Sequence, residues 1–235
     1  IGVSVASLLR HKPEQYGYLP DGGTSETLKT GNKAKRARVL EIDFTIREAI
    51  RTKSFWIFAT ATTLWQVPVS TIMLHTVAAL QDGGLSVQTA ANFVGLTFII
   101  GVAGRLFWGF LGDFFPKKNL LAIAVLIMGG GIFALASFTA TWHVYLFAVL
   151  YGIGQGVVPI AFAIRGEYWG RKSFATIGGI LQAIATTGGI LGPIYAGWVY
   201  DVTGSYKNAF YLTILIAIAA AVFYFFCRPP KAPKR

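Results

Sequence analysis

Six stretches of this chain run for 20 residues or more with almost no formal charge: 54–80, 87–111, 120–140, 144–164, 173–200 and 208–227. About 20 consecutive apolar residues are what a helix needs to cross the hydrocarbon of a bilayer. Of 21 Lys and Arg and 10 Asp and Glu, only Arg105 falls inside one of these runs. A helix on a soluble core would show a charged face every few residues, whereas these runs are apolar all round. In hydrocarbon the backbone must satisfy its own hydrogen bonds, so each run folds as a helix. The expectation is an all-α, polytopic membrane bundle of six transmembrane helices.

Composition narrows the function classes. Charged residues make up 13% of the chain, against about 25% in ordinary soluble domains. The 54% hydrophobic content excludes disorder. A net charge of +11 on so apolar a chain does not read as a nucleic-acid binder, where basic groups sit among abundant polar surface. A single cysteine, Cys227, excludes a disulfide scaffold and a cysteine metal cluster. At the end of the last run it reads as a small apolar residue, with palmitoylation as the alternative. No metal site and no cofactor are expected.

The basic residues collect on alternate loops, which sets orientation. Segment 10–53, the loops at 112–119 and 165–172, and the tail at 228–235 hold 19 Lys and Arg between them. The intervening loops at 81–86, 141–143 and 201–207 hold only Lys207. Six crossings then put both ends on the cytoplasmic side. Residues 1–9 are apolar but too short to span, and read as the tail of a preceding helix. Segment 10–53 reads as a cytoplasmic loop whose Gly-, Thr- and Lys-rich part is a flexible linker. Its end, 44–53, alternates apolar and basic positions, as a short interfacial helix or a plain charged connector would. The bundle proper is 54–227 and the basic tail is 228–235.

The segment leaving the second run reads Gly104-Arg105-Leu106-Phe107-Trp108-Gly109-Phe110-Leu111-Gly112-Asp113-Phe114-Phe115-Pro116-Lys117-Lys118. It resembles the cytoplasmic loop signature of the major facilitator superfamily, carried here by Gly109, Leu111, Gly112, Asp113, Lys117 and Lys118. It departs at Pro116, where that family usually has glycine, so the turn must be of another type. The stretch 13–22 resembles the central loop between the two halves of bacterial members. Residues 165–171, with Glu167 and Arg171, and the series Gly189, Gly192, Pro193, Gly197, Asp201 and Gly204 are similar to the family's tenth-to-eleventh loop and eleventh helix. The resemblance implies that the six spans are helices seven to twelve of a twelve-helix carrier. The partners it implies are a small-molecule solute, the lipid bilayer of a prokaryotic inner membrane and an N-terminal six-helix half. It also makes Gly109, Gly112, Asp113, Lys117, Lys118, Glu167 and Arg171 a cytoplasmic gate.

Helices that line a transport cavity carry polar residues and breaks that lipid-facing helices cannot tolerate. The first span offers Thr62, Gln66 and Ser70 at steps of four, with Pro68 interrupting the ladder. The fourth offers Tyr151, Gln155 and Pro159 beside a glycine seam, and the fifth offers Gln182 and Thr186. The sixth shows almost no such stripe and is expected to face lipid. Arg105 is the sharpest signal, since an arginine inside a span costs about 2.5–3.5 kcal/mol on insertion scales and needs compensation. With Gly101 and Gly109 at steps of four it is expected to aim at a close-packed neighbour. It reads either as a planar fork for a substrate carboxylate or as a structural or snorkelling cation, paired with Asp113 or Glu167. In carriers similar to the oxalate–formate antiporters and monocarboxylate transporters an eighth-helix arginine contacts the anion. That resemblance, and the lack of a second cation between residues 173 and 200, favour a monoanion. His75, near the outer end of its span, is a candidate for proton coupling or a plain interfacial residue.

The reading is therefore an alternating-access carrier of a small organic solute of the monocarboxylate type. The alternatives are a carrier of a non-anionic solute or drug with Arg105 structural, or a receptor on the same fold. An enzyme is not supported: no His-Glu-x-x-His helix and no Gly-x-Ser-x-Gly elbow occur, and no catalytic residues are assigned.

Overall fold

The computed structural model describes residues 43–233. The expectations for 1–42 and for Lys234 and Arg235 lie outside the described residues. Eight helices follow one another: α1 (Ile46–Ile50), α2 (Lys53–Asp82), α3 (Val87–Phe114), α4 (Lys117–Ala136), α5 (Thr141–Gln155), α6 (Val158–Trp169), α7 (Phe174–Thr203) and α8 (Lys207–Phe226). Six helical segments are long and apolar enough to span, with α5 and α6 together forming the fourth, Thr141–Trp169. Pro159 explains the break at Gly156 and Val157, because it cannot donate to the Gln155 carbonyl one turn earlier. Pro68 and Pro193, by contrast, are carried inside continuous helices.

The short helix before the first span is pinned at both ends. Thr45 caps α1, its hydroxyl accepting from the Glu48 N–H at 3.3 Å while its own N–H donates to Glu48 Oε2 at 2.7 Å. Thr52 then caps α2 by accepting from the Phe55 N–H. The short helix thus takes five residues, Ile46–Ile50, and not the whole of 44–53, whose Lys53 already opens α2. Asp43 Oδ1 accepts the N–H of Arg171 at 3.0 Å and of Lys172 at 3.1 Å, and the Phe44 N–H donates to the Trp169 carbonyl. Phe44 is buried, so this segment is fastened to the α6–α7 turn.

The spans pack as a chain of neighbours, α7 on α2, α2 on α8, α8 on α4, α4 on α5 and α5 on α3. The two ends of that chain, α3 and α7, are the least covered, although both are apolar enough to span. The last span is not simply a lipid-facing rod. It buries Ala217, Ala220, Ala221 and Tyr224 against α2 and α4 while Leu215, Val222 and Phe226 face outward. The alanines sit at i, i+3 and i+4, and small side chains there let helix backbones approach closely. Tyr224 donates to Thr62 Oγ1, which removes Thr62 from the expected stripe with Gln66 and Ser70. Steps of four drift by about 40° each on a 3.6-residue helix, so Thr62 and Ser70 point about 80° apart.

Cys227 closes the last span in the interior, 1% exposed, with its thiol 3.8 Å from the Ser54 carbonyl. Burial keeps the thiol out of reach of water and of an attacking reagent. Neither acylation nor labelling suits such a position. Maleimide labelling at pH 7.5 is expected to fail on the folded protein in detergent and to go to completion after denaturation, as read by mass spectrometry.

Candidate functional site

The structure puts Arg105 somewhere other than a close-packed contact. The ridge of α3 that meets α5 and α6 is Gly101, Gly104, Trp108 and Gly112, all buried. At Gly104 an added methyl would lie 3.0 Å from the Ile153 carbonyl, and the Trp108 indole N–H donates to that same carbonyl at 2.7 Å. Arg105 is one position round from that ridge and exposed. Steps of four from Gly101 to Gly109 do not describe the contact, because a packed face alternates steps of three and four. Neither Asp113 nor Glu167 pairs with it: Asp113 is exposed, and among the described residues the one ion pair joins Lys117 Nζ to Glu167 Oε1 at 2.5 Å.

The polar residues of the other spans divide into two groups. Gln66, half-buried on α2, abuts Gly189 of α7, where a methyl would lie 3.2 Å from its Cγ. Ser70 returns its hydroxyl to the Gln66 carbonyl at 2.9 Å. Gln155 is half-buried at the end of α5, and Gln182 and Thr186 are exposed on α7. Tyr151 belongs inside: it is 3% exposed, and its hydroxyl donates to the Val69 carbonyl at 3.2 Å, tying α5 to α2. It therefore positions the two spans, with its hydroxyl spent on that bond. Residues Ile72, Thr76, Thr97, Phe98, Tyr151 and Gln155 line a small crevice between α2, α3 and α5.

Towards the C-terminal end of α2, His75 donates Nε2–H to the Pro193 carbonyl at 3.1 Å and lies 5.0 Å from the Tyr206 ring. A carbonyl can only accept, so Nε2 carries the hydrogen of this bond. Between α3 and α4 Phe115 is extended and Pro116 opens α4, which is the turn that replaces the glycine turn. A residue before proline is driven to extended backbone, so this geometry follows from the sequence. Gly109 has open space around it, whereas Gly112 is filled by Ile160. Lys118 Nζ donates to the Phe225 carbonyl at 2.9 Å. Glu167 and Arg171 do not share a helix, since Gly170 at φ 80° ends α6 between them.

Sequence reasoning missed Arg165, which had been placed in a loop. It lies within the membrane-crossing segment Thr141–Trp169 and is 5% exposed. The Phe162 and Phe58 rings lie 4.7 Å and 5.9 Å from its guanidinium. The signal was present: Val157, Ile160, Ala161, Ile164, Tyr168 and Trp169 make one helical stripe, and Arg165 sits in the middle of it.

Comparison with known proteins agrees with this architecture. Residues 54–235 match the family described as Major Facilitator Superfamily. Monocarboxylate transporter 13 of Rattus norvegicus is 32% identical over 140 residues, covering 58% of this chain and 33% of that protein. The hexuronate transporter of Bacillus subtilis (strain 168) is 27% identical over 159 residues, covering 61% and 37%. The class E tetracycline resistance protein of Escherichia coli is 23% identical over 210 residues, covering 86% and 51%. The E. coli fucose:proton symporter superposes with a TM-score of 0.69 at 16% identity, covering 96% of this chain and 52% of its own. This chain thus spans about a third to a half of the length of these proteins.

Proposed function

Because this chain belongs to the major facilitator superfamily, we propose that it forms one bundle of an alternating-access carrier for a small monocarboxylate-type anion, with Arg105 as the anion contact. The observation that carries the reading is an exposed guanidinium within a 28-residue span, with no ion pair among the described residues. Facing lipid, that charge costs about 2.5–3.5 kcal/mol, and facing a water-filled cavity between two bundles it does not. A guanidinium presents parallel N–H donors that match a carboxylate at two points. Two relatives support the choice by name, one a monocarboxylate transporter and one a hexuronate transporter, since both words denote carboxylates. Gln66, Ser70, Gln155 and Gln182 supply uncharged polar contacts along the same wall. Tyr151 braces α2 against α5 behind them, and His75 holds the outer end of α2 to α7 as the candidate proton carrier. The second wall belongs to a six-helix N-terminal half, with the basic loops of both halves on the cytoplasmic side.

The test is uptake into proteoliposomes by the full-length protein. Saturable uptake of labelled lactate, displaced by other monocarboxylates and not by dicarboxylates or neutral sugars, is expected. Uptake of a neutral solute with no saturable monocarboxylate uptake overturns the reading.

The cytoplasmic gate is built on the Lys117–Glu167 pair, which holds the α3–α4 turn to the end of α6, and on Asp113, whose exposed carboxylate is free to meet the other bundle. The pair is 22% and 52% exposed, so its effect on stability is about 1 kcal/mol at most. Lys117→Glu is expected to slow turnover severalfold with little change in melting temperature, and Lys117→Glu combined with Glu167→Lys to restore the rate. Equal slowing in the double variant would reject the pair as part of the gate.

A further inference from the structure

Arg165 is a buried cation that nothing proposed so far uses. Its Nε has no hydrogen-bond partner, and no carboxylate pairs with it among the described residues. The neighbouring acids are committed: Glu167 to Lys117, and Asp43 to the backbone N–H groups of Arg171 and Lys172. Two aromatic faces, Phe58 and Phe162, stabilise a cation but leave its in-plane N–H donors unspent. A buried charge without a counter-charge is strongly unfavourable, so the site calls for an anion. The guanidinium points at the start of α7. There a methyl on Gly178 would stand 3.8 Å from Nη1, in van der Waals contact, so the glycine lets the guanidinium approach the α7 backbone. The N-terminus of α7 adds to this, because Ser173 makes no side-chain cap and the N–H end of a 30-residue helix carries partial positive charge.

We propose that Arg165, Gly178 and the first turn of α7 form a second anion subsite at the cytoplasmic end of the bundle, which takes the carboxylate of a small monocarboxylate. Phe58 and Phe162 wall the guanidinium, and its fork meets the two carboxylate oxygens. Arg165 follows Gly156, the neighbour of the Arg105 backbone, by nine residues. At 1.5 Å per residue the two backbone positions are offset by about 13 Å along the bundle axis. This spacing makes Arg165 a staging point near the cytoplasmic mouth and not part of the Arg105 contact. The inference rests on the carrier reading only for the choice of a carboxylate as ligand.

The experiment measures the apparent acetate dissociation constant of the full-length protein in detergent, from thermal unfolding in sodium acetate against sodium chloride of matched ionic strength. Saturable stabilisation of the wild type is expected, weakened about tenfold in Arg165→Lys, which keeps the charge but loses the two-point fork. Gly178→Val, which crowds Nη1 and keeps the arginine itself, is expected to weaken it as well. The same weakening is expected when both changes are made in Arg105→Gln protein, where acetate at the Arg105 contact no longer contributes. Unchanged acetate affinity in both Arg165→Lys and Gly178→Val overturns the subsite. So does acetate binding lost only in Arg105→Gln, an outcome that leaves the Arg105 reading standing. No saturable acetate response in any variant also overturns it, even where lactate uptake persists.

Discussion

Arg105→Lys is expected to raise the apparent KM for a monocarboxylate about tenfold while the protein still inserts and folds, and Arg105→Gln to abolish measurable uptake. The first figure follows from geometry. Lysine keeps a full positive charge but replaces a rigid two-point fork with a single, strongly hydrated ammonium. Hydrogen bonds to charged groups contribute about 1.5–3 kcal/mol each, so the loss of one is worth at least a factor of ten. Removing the charge leaves the substrate carboxylate desolvated and unpaired, at a cost of 2–5 kcal/mol or more by the pattern of truncated charge pairs. Folding is spared because Arg105 is exposed and its side chain makes no packing contact that holds α3 to α5; that contact belongs to Gly104 and Trp108. The measurements are initial uptake rates against concentration in proteoliposomes, and the monodispersity of each variant on size exclusion. An unchanged apparent KM in Arg105→Lys would remove Arg105 from the site. A collapse of expression in both variants would make it a structural cation.

The spans were legible because hydrocarbon makes a blunt demand. Twenty residues without a charge leave one solution for the backbone, and six such runs left six segments. Which side each helix turns to its neighbours was much less legible. The polar stripe on the first span dissolved because Thr62, Gln66 and Ser70 drift round the helix, and Thr62 meets Tyr224. The seam beside Arg105 was misread by one position for the same reason, as Gly104 and not Arg105 follows Gly101 into the contact. Pairings across distant sequence were beyond reach altogether. Nothing in the order of residues announces that Asp43 will bind the turn 128 positions later, or that Lys117 and not Arg171 will take Glu167. Arg165 escaped because charges near the end of an apolar run are naturally assigned to the loop. α6 continues to Trp169 before Gly170 stops it, and this carries Arg165 inside.

The largest effect on the fold itself is expected at Gly188. A methyl there would collide with the Thr63 carbonyl oxygen of α2, and the obstacle is backbone, which cannot rotate away as a flexible side chain would. Relief requires α7 and α2 to separate along their main contact, which also carries Gly192, where a methyl would meet the Val67 carbonyl at 2.8 Å. Overpacking a well-fitted interior costs about 1–3 kcal/mol and sometimes more, a large share of the 5–15 kcal/mol that holds a folded protein together. The intrinsic gain of alanine over glycine in a helix, about 1 kcal/mol, offsets only part of this. Gly188→Ala is therefore expected to lower the melting temperature in detergent by several degrees, and Gly188→Val to leave no monodisperse protein. Gly197→Ala is the control, on the same helix and with open space within 4 Å, and is expected to leave the melting temperature unchanged or higher. If the two alanine variants melt together, close approach of α7 to α2 is not what that glycine provides.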